Sequence, residues 1–238
     1  MRLHRFFTDS KIDKTKMLIK DERLIHQWRD VFRYNVGSEV VLFDGSGQEY
    51  DAVIEKLNNQ VSEVRLVRER RGIIPKDSST GLGREITLYQ SLIKKDKMEW
   101  VVEKATELGV SKIVPIVSER SEKKGFNIER ARRIAIEASE QCGRADVPEL
   151  VGVMELGEWV KVAGQDVIVF DFSGEPFPCP IIHNTNPASL FIGPEGGWSP
   201  KEIERFKDLK IEILSLGRLT LRAETAAIVA LTAATLLD

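Results

Sequence analysis

Two glycine-containing segments near the C-terminus carry residue types suited to ligand chemistry. Residues 190–202 read LFIGPEGGWSPKE, and residues 214–226 read LSLGRLTLRAETA. In each segment an apolar strand pattern runs through a loop into a helix pattern, and glycines in such loops let the backbone approach a ligand closely. Neither segment has the GxxxxGK[ST] or GxGxxG spacing of nucleotide-binding loops. Ordinary turn chemistry is the alternative explanation of these glycines.

The charged side chains of these loops are few. Glu195 lies in the first loop, and Arg222 and Glu224 lie where the chain enters the last helix. The structural alternative is a surface ion pair at a helix N-terminus, where the dipole favours a glutamate. The three histidines fall outside both loops, so no general base is assigned. The sequence has no cysteine–histidine cluster at ligand spacing, and no metal site is expected.

The elements around these loops alternate between strand and helix patterns, which predicts an α/β domain with a mainly parallel sheet. Helices are predicted at 96–108, capped by Asp96, at 127–143, capped by Asn127, from the Ser199–Glu202 capping box onward, and at 223–237. Strands are predicted at 85–90, 112–117, 167–171, 190–192 and 211–216. Ligands bind beyond the carboxyl ends of such strands, so the two loops are expected to form two walls of one pocket.

The N-terminal part has a different pattern of predicted elements. Glu39–Phe43, Glu49–Ile54 and a run around Val64 read as short strands with turns at Asp44–Gly47 and Asn58-Asn59, which indicates a small barrel or sheet. Residues 72–83 are rich in Gly, Pro and Ser and indicate a boundary. The predicted organisation is a first domain at 1–72, a linker at 73–84 and a second domain at 85–238.

Composition narrows the class of protein. The 238 residues are 42% hydrophobic and 30% charged, with a net charge of −2. No apolar run reaches the roughly 18 residues of a membrane helix, and MRLHRFF lacks the apolar core of a signal peptide. Two cysteines make no disulfide framework. The expected location is cytoplasmic. Residues 1–72 and 84–144 carry net charges of +2 and +3, against −7 for residues 145–238. This asymmetry permits a polyanionic partner, although solvated helix faces also explain it.

The motifs together resemble the RsmE family (ribosomal RNA small subunit methyltransferase E) of the SPOUT class. The resemblance rests on IGPEGGWS, LSLGRLTLRAETA, LIKKDKMEWVVEKATELGVSKIVP (92–115), EASEQCGR (137–144) and the start RLHRFF. It covers essentially the whole chain in order. One departure is visible, because Arg218 lies one position away from its usual place in the family's RILR pattern.

The resemblance implies a fold and a reaction. The fold would be an α/β SPOUT domain with a C-terminal trefoil knot, preceded by a small PUA-like β-barrel domain, although unknotted chains are the general rule. The reaction would be methylation of N3 of a specific uridine in the decoding region of 16S rRNA, with S-adenosyl-L-methionine (SAM) as the cofactor. The partners would be 16S rRNA or the small ribosomal subunit and a second copy of the chain. The apolar final helix fits such a homodimer interface, or it is a plain core helix.

The chemistry of that reaction suggests roles for two charged residues, and the resemblance implies the residues that bind SAM. Arg222 would stabilise the uridine anion, and Glu195 would accept a proton, orient the base or cap its loop. SAM would be bound by residues of the two loops, and a bulky residue at Gly197 would abolish that binding in a folded protein. The SAM-binding candidates are Ile192, Gly193, Pro194, Glu195, Gly196, Gly197, Leu216, Gly217, Leu221, Glu224 and Thr225.

RNA contacts are expected at basic positions, where phosphate contacts give affinity without sequence choice. Solvated helix faces are the alternative for each position, and Phe6 and Phe7 are expected in the core. Other functions left open are a different RNA methylation, such as ribose 2′-O methylation, and a non-catalytic RNA-binding assembly factor. The RNA-binding candidates are Arg2, His4, Arg5, Lys94, Lys97, Arg120 and Arg144.

Overall fold

The computed structural model describes residues 3–13, 15–74, 85–122, 125–158, 166–176 and 188–236. The chain divides into two compact units. The first comprises Met1–Ile74 and Ser139–Val147, and the second comprises Pro75–Ala138 and Pro148–Asp238. Arg2 and most of the predicted linker, residues 75–84, lie outside the described residues. Among the helices of the described residues, none has the length and hydropathy of a membrane-spanning segment.

The first unit is built on a mixed five-stranded sheet in the order β1-β3-β4-β5-β2, in which β1 runs parallel to β3 and the other neighbours are antiparallel. Its elements are β1 (Arg5–Phe7), β2 (Lys16–Ile19), α1 (Glu22–His26), a π-helical turn (Gln27–Val31), β3 (Glu39–Phe43), β4 (Gln48–Leu57) and β5 (Ser62–Arg71). The strands predicted at 39–43 and 49–54 are confirmed. Sequence reasoning did not find β1, β2 or α1.

The core of the first unit forms where α1 and the π-helical turn cover the sheet. Trp28, Leu24 and Phe6 are almost completely buried and belong to one cluster with the inward residues of β3, β4 and β5. The ring of Phe6 meets Trp28 edge-on at 5.6 Å, a favourable aromatic geometry. Phe7 is also buried, against Phe43. Both phenylalanines are therefore core residues, as expected.

The second unit is built on a parallel sheet in the order β12-β10-β11-β6-β7-β8, with β9 also paired to β7. The predicted parallel α/β architecture is confirmed for the described residues. Its elements are β6 (Ile86–Ser91), α2 (Lys95–Glu107), β7 (Lys112–Val117), α3 (Ile128–Cys142, of which residues 139–142 belong to the first unit), β8 (Glu149–Leu150), β9 (Met154–Glu155), β10 (Asp166–Pro176), β11 (Ala188–Ile192), α4 (Pro200–Asp208), β12 (Glu212–Ser215) and α5 (Ala223–Leu236).

Helix caps follow the sequence with one exception. Ser199 and Glu202 form the predicted capping box of α4, with Pro200 in its first turn, and Asn127 Oδ1 accepts the Arg130 N–H at the start of α3. The predicted cap of α2 at Asp96 is wrong. The helix begins at Lys95, so Asp96 lies inside the first turn, where its charge suits the helix dipole.

The last helix returns from the edge strand β12 to the middle of the sheet. It packs against β6, β11 and α2. Small side chains line its buried face, and Ala227, Ala230 and Leu231 are fully buried, which allows close helix packing. Val229 on another face is 38% exposed. The helix is thus buried on one side only, although its sequence is apolar nearly all round.

Candidate active site

The candidate site lies at the carboxyl edge of the parallel sheet. The strands β6, β7, β10, β11 and β12 are all parallel, so the loops that follow them emerge on the same edge. This is where open α/β sheets bind ligands. Both glycine-containing loops, at 193–199 and 216–222, emerge there, as the sequence predicts.

The loop after β11 is shaped by a tryptophan. The Trp198 indole N–H donates to the Phe170 carbonyl oxygen at 3.0 Å, and the ring is almost completely buried. A β-carbon at Gly193 would lie 3.2 Å from that indole, so the backbone of Gly193 runs closer to the ring than most side chains allow. Gly197 has a φ of +66°, which favours glycine, and open space where a side chain would begin.

Two charged side chains from neighbouring elements hold this loop through hydrogen bonds to its backbone. Arg120, which follows β7, donates from Nη1 to the carbonyl oxygens of Gly196 at 2.9 Å and Trp198 at 3.3 Å. The Glu202 carboxylate accepts the N–H groups of Ser199 at 2.7 Å and Glu119 at 2.8 Å. The end of β7 and the start of α4 therefore hold the glycine loop in one shape.

The loop after β12 opens with Gly217 at a φ of +132°. The Ser215 hydroxyl donates to the Gly217 carbonyl oxygen at 3.0 Å. Arg222 precedes α5, and its carbonyl oxygen accepts the Ala226 N–H at 2.8 Å. The side chains of Arg218 and Arg222 are exposed. The displaced arginine and the predicted catalytic arginine thus both lie on an accessible loop.

A single cavity lies between the two loops and the middle of β10, at the level where β11 ends. Seven of the SAM-binding candidates line it: Ile192, Gly193, Pro194, Glu195, Gly197, Leu216 and Leu221. The cavity wall continues with Leu219, Thr220, Ala223 and Ala226. Gly196, Gly217, Glu224 and Thr225 are adjacent in sequence to wall residues without being part of the wall. The two-loop pocket predicted from the strand–loop–helix patterns therefore exists.

Three wall residues come from β10 and were not found by sequence reasoning. Phe170, Asp171 and Phe172 line the cavity. The Asp171 carboxylate accepts from the Ser173 N–H at 2.9 Å and hydroxyl at 2.6 Å, and it is partly exposed. The signal was present, because the predicted strand ends at Asp171. A polar residue at the carboxyl end of a parallel strand belongs at the same edge as the two loops.

The segment after β6 contacts the loop that follows β11 and the start of α5. The Lys94 N–H donates to Glu195 Oε1 over a long 3.4 Å, and Lys97 Nζ pairs with Glu224 Oε1 at 2.9 Å. Burial opposes ionisation of Glu224, but the Lys97 hydrogen bond, a backbone hydrogen bond and the charges of Lys97 and Arg222 outweigh it. The pKa of Glu224 therefore lies below its ordinary value.

Two RNA-binding candidates have structural roles. Arg5 is 8% exposed and donates to Glu49, to the Ser139 carbonyl oxygen at 3.2 Å and to the Arg144 carbonyl oxygen at 2.9 Å. Arg144 is 3% exposed and pairs with Asp146. Their guanidinium groups are occupied inside the first unit, which corrects the expectation that they face RNA. His4 is exposed, beside Phe32 and Tyr34.

Family models match both parts of the chain. A model described as an RNA methyltransferase domain matches residues 81–235, and one described as an RNA methyltransferase PUA domain matches residues 29–66. The chain belongs to this RNA methyltransferase family. The larger match includes every residue of the cavity wall.

Matches to individual relatives agree with this family assignment. Ribosomal RNA small subunit methyltransferase E of Rickettsia conorii is 29% identical over 238 residues, covering 97% of this chain and 94% of the relative. A methyltransferase structure from Legionella pneumophila with bound SAM matches at 28% identity and a TM-score of 0.85, covering 98% of this chain and 97% of that one. The SAM-bound small subunit methyltransferase E of Neisseria gonorrhoeae matches at 25% identity and a TM-score of 0.84, covering 98% and 96%. The RsmE resemblance and the prediction of an rRNA methyltransferase are confirmed.

Proposed function

We propose that this RsmE-family enzyme transfers a methyl group from SAM to N3 of a specific uridine in the decoding region of 16S rRNA. The observation that carries the proposal is the single cavity formed by both signature loops at the carboxyl edge of the sheet. The SAM-bound relatives of similar fold support the choice of cofactor.

The cavity has the chemistry that SAM requires. Leu216, Leu219 and Leu221 give an apolar wall suited to an adenine ring, and the backbone of Gly193 and Gly197 can be approached closely. Glu195 and Asp171 supply carboxylates suited to ribose hydroxyls or to the cationic groups of SAM. When bound, SAM supplies an electrophilic methyl group. The chain would bind it with these residues and with the flanking Gly196, Gly217 and Thr225.

The chain's task in the reaction is to favour the uridine anion and aim it. Uridine N3 becomes nucleophilic when its proton leaves, and the resulting charge spreads to O2 and O4. In the proposed mechanism Arg222 donates hydrogen bonds to that anion from its exposed position before α5. Glu195, exposed at the cavity, accepts the N3 proton or orients the base. Binding in line with the donor supplies the remaining rate gain.

The proposed RNA contacts are the basic and aromatic side chains that remain accessible. The side chain of Lys94 is exposed immediately before α2, and the backbone N–H of the same residue donates to Glu195. Arg120 is exposed while its Nη1 fixes the glycine loop, and His4 is exposed in the first unit. Arg2 is proposed as an RNA contact on the basis of the sequence alone. Arg5 and Arg144 are left out because they are buried.

The finer parts of the architecture are also proposals. Residues 1–72 would be the PUA-like RNA-binding barrel, 73–84 the linker and 85–238 the SPOUT domain with a trefoil knot at its C-terminus. The return of α5 from the edge strand β12 to α2, β6 and β11 supports a knotted path. Residues 177–187, which precede β11, lie outside the described residues.

A homodimer in the cytoplasm, where ribosomal RNA is modified, completes the proposal. Two helices that pack together, α2 and α5, each expose an apolar side chain, Trp100 at 41% and Val229 at 38%. Exposed apolar surface of this kind suits an interface between copies. Light scattering coupled to size-exclusion chromatography measures the mass directly, and a monomer at micromolar concentration would contradict this part.

The reaction is tested with labelled SAM and small ribosomal subunits that lack the modification. Digestion and mass spectrometry then identify the methylated nucleoside. The expected product is 3-methyluridine. A 2′-O-methylated nucleoside would contradict the N3 assignment, and the absence of both transfer and SAM binding would favour a non-catalytic assembly factor.

A further inference from the structure

The segment that follows β6 contacts one wall of the cavity and the helix that begins at the other wall. Its Lys94 N–H contacts Glu195 in the loop after β11, and its Lys97 ammonium contacts Glu224 at the start of α5. The two lysines are three positions apart in sequence, while one glutamate lies in the loop after β11 and the other lies at the start of α5. Segment 94–97 is therefore placed to set the spacing between the loop after β11 and the start of α5.

The Lys97–Glu224 pair is largely shielded from water. Its side chains are 24% and 14% exposed, whereas Lys95 in the neighbouring surface pair with Glu99 is 72% exposed. Glu224 Oε2 is buried, and no described protein donor reaches it. Because a buried carboxylate without a counter-charge is unfavourable, Lys97, as the side chain that pairs directly with Glu224, is the main group that favours its ionised form.

Glu224 lies at the point where the loop becomes helix. Arg222 is two residues earlier, and its carbonyl oxygen is already bound by the helix through the Ala226 N–H. Leu221 and Ala223, on either side of Arg222, line the cavity. A displacement of the Glu224 side chain would therefore shift the start of α5, and with it the cavity wall and Arg222.

We propose that Lys97 is a positioning residue for methyl transfer, which through its ion pair with Glu224 fixes the start of α5 and so places Leu221 and Arg222. This inference rests on the proposed function. It gives Lys97 a different role from the phosphate contact that its charge and sequence position suggest. A phosphate that bound Lys97 would have to draw it from Glu224 and leave that carboxylate without its ion-pair partner.

The test uses full-length protein and the variants Lys97→Met, Glu224→Gln, the double variant, and Lys97→Arg. The matched control is Lys104→Met, because Lys104 lies on the same helix and forms its ion pairs with Glu103 and Glu107 of that helix. The measurements are kcat and KM for small subunits, the SAM dissociation constant, and the salt dependence of subunit binding. Because the double variant leaves neither charge unpaired, it keeps the test decisive if a single variant folds poorly.

The positioning role predicts linked effects. Lys97→Met and Glu224→Gln should each lower kcat about tenfold and weaken SAM binding by a similar factor, and the double variant should be no worse than either, as expected of coupled residues. The KM for subunits should not change. Lys97→Arg should restore most activity, and Lys104→Met should match the wild type.

Three outcomes would overturn the inference. A phosphate contact would raise the subunit KM of Lys97→Met alone and reduce the salt slope by about 0.7–0.9. A direct cofactor contact of Glu224 alone would weaken SAM binding in Glu224→Gln and leave Lys97→Met normal. Additive losses in the double variant would also contradict coupling. If the wild type transfers no methyl group, the proposed function fails, and the SAM affinities of the same variants still decide the inference.

Discussion

Arg5 belongs to the first unit and Arg222 to the second unit, and these two arginines differ sharply in their surroundings. Arg5 is buried, where it pairs with Glu49, contacts two carbonyl oxygens and stacks over Phe43 at 4.9 Å. Arg222 is exposed on the loop that leads into α5, beside the cavity wall. A charged side chain is costly to bury unless it is paired, so Arg5 is satisfied by its own fold. Arg222 keeps its donors accessible to a substrate.

Burial therefore separates structural arginines from candidates for substrate contact in a chain rich in arginine. The partners of Arg5 lie 44 and 134 to 139 residues away, so only the folded structure reveals that its guanidinium is occupied. An arginine is a candidate for substrate contact when it is exposed at the edge of a ligand cavity. We therefore expect Arg5 to govern stability and Arg222 to govern rate.

The largest expected effect is on stability, from Arg5→Met. The change leaves Glu49 with Arg70 as its remaining ion pair, and disrupting a buried pair costs about 3 kcal/mol or more. Urea unfolding followed by circular dichroism measures this loss. The control is Lys16→Met, which removes an exposed pair with Glu55 and should leave the midpoint nearly unchanged. Equal midpoints for the two variants would refute the structural role of Arg5.

Arg222→Ala should show the opposite pattern. Loss of a donor to the developing anion lowers kcat by about 100- to 1,000-fold, while the urea midpoint should stay near that of the wild type because the side chain is exposed. Single-turnover methylation of small subunits measures the rate. A rate within a few-fold of the wild type would remove Arg222 from the mechanism.

Gly197→Leu should impair the cavity without unfolding the chain. A φ of +66° costs a residue with a β-carbon about 1–2 kcal/mol, so the loop must shift and SAM binding should weaken by tenfold or more. Gly152→Leu is the matched control, because a side chain there also meets open space and no positive φ is involved. Calorimetric titration with SAM compares the two. Normal affinity in a folded Gly197→Leu variant would contradict the assigned cofactor site.

The smallest expected effect concerns pH. The pKa of Glu224 is lowered from 4.5 in the folded protein, so its ionised form stabilises the fold above that pH. This contribution is lost as the pH falls below 4.5 through the folded pKa. The stability difference between the wild type and Glu224→Gln should therefore be largest near neutral pH and shrink in acid. A difference that grows in acid would mean that the pKa is raised.

Local signals explain how much could be predicted from the sequence. The strand–glycine–helix pattern placed both loops at one edge, because parallel strands share their carboxyl ends. The capping box at Ser199 was also local, so it was found. The Lys97–Glu224 pair joins residues 127 positions apart, and no local pattern reveals it. The partners of Arg5 are also distant in sequence, which is why Arg5 was predicted to contact RNA. The cap at Asp96 was misplaced because the backbone turns into helix earlier than the side chains suggest.

The measurement that tests the central claim most directly is photolabelling with an azido-adenine analogue of SAM, followed by mass spectrometric mapping of the labelled peptides. We expect labels on the peptides that contain residues 190–198 and 215–226, and we expect excess SAM to suppress them. Labels confined to other segments and equally suppressed by SAM would contradict the claim that the cavity between the two loops is the methyl-donor site.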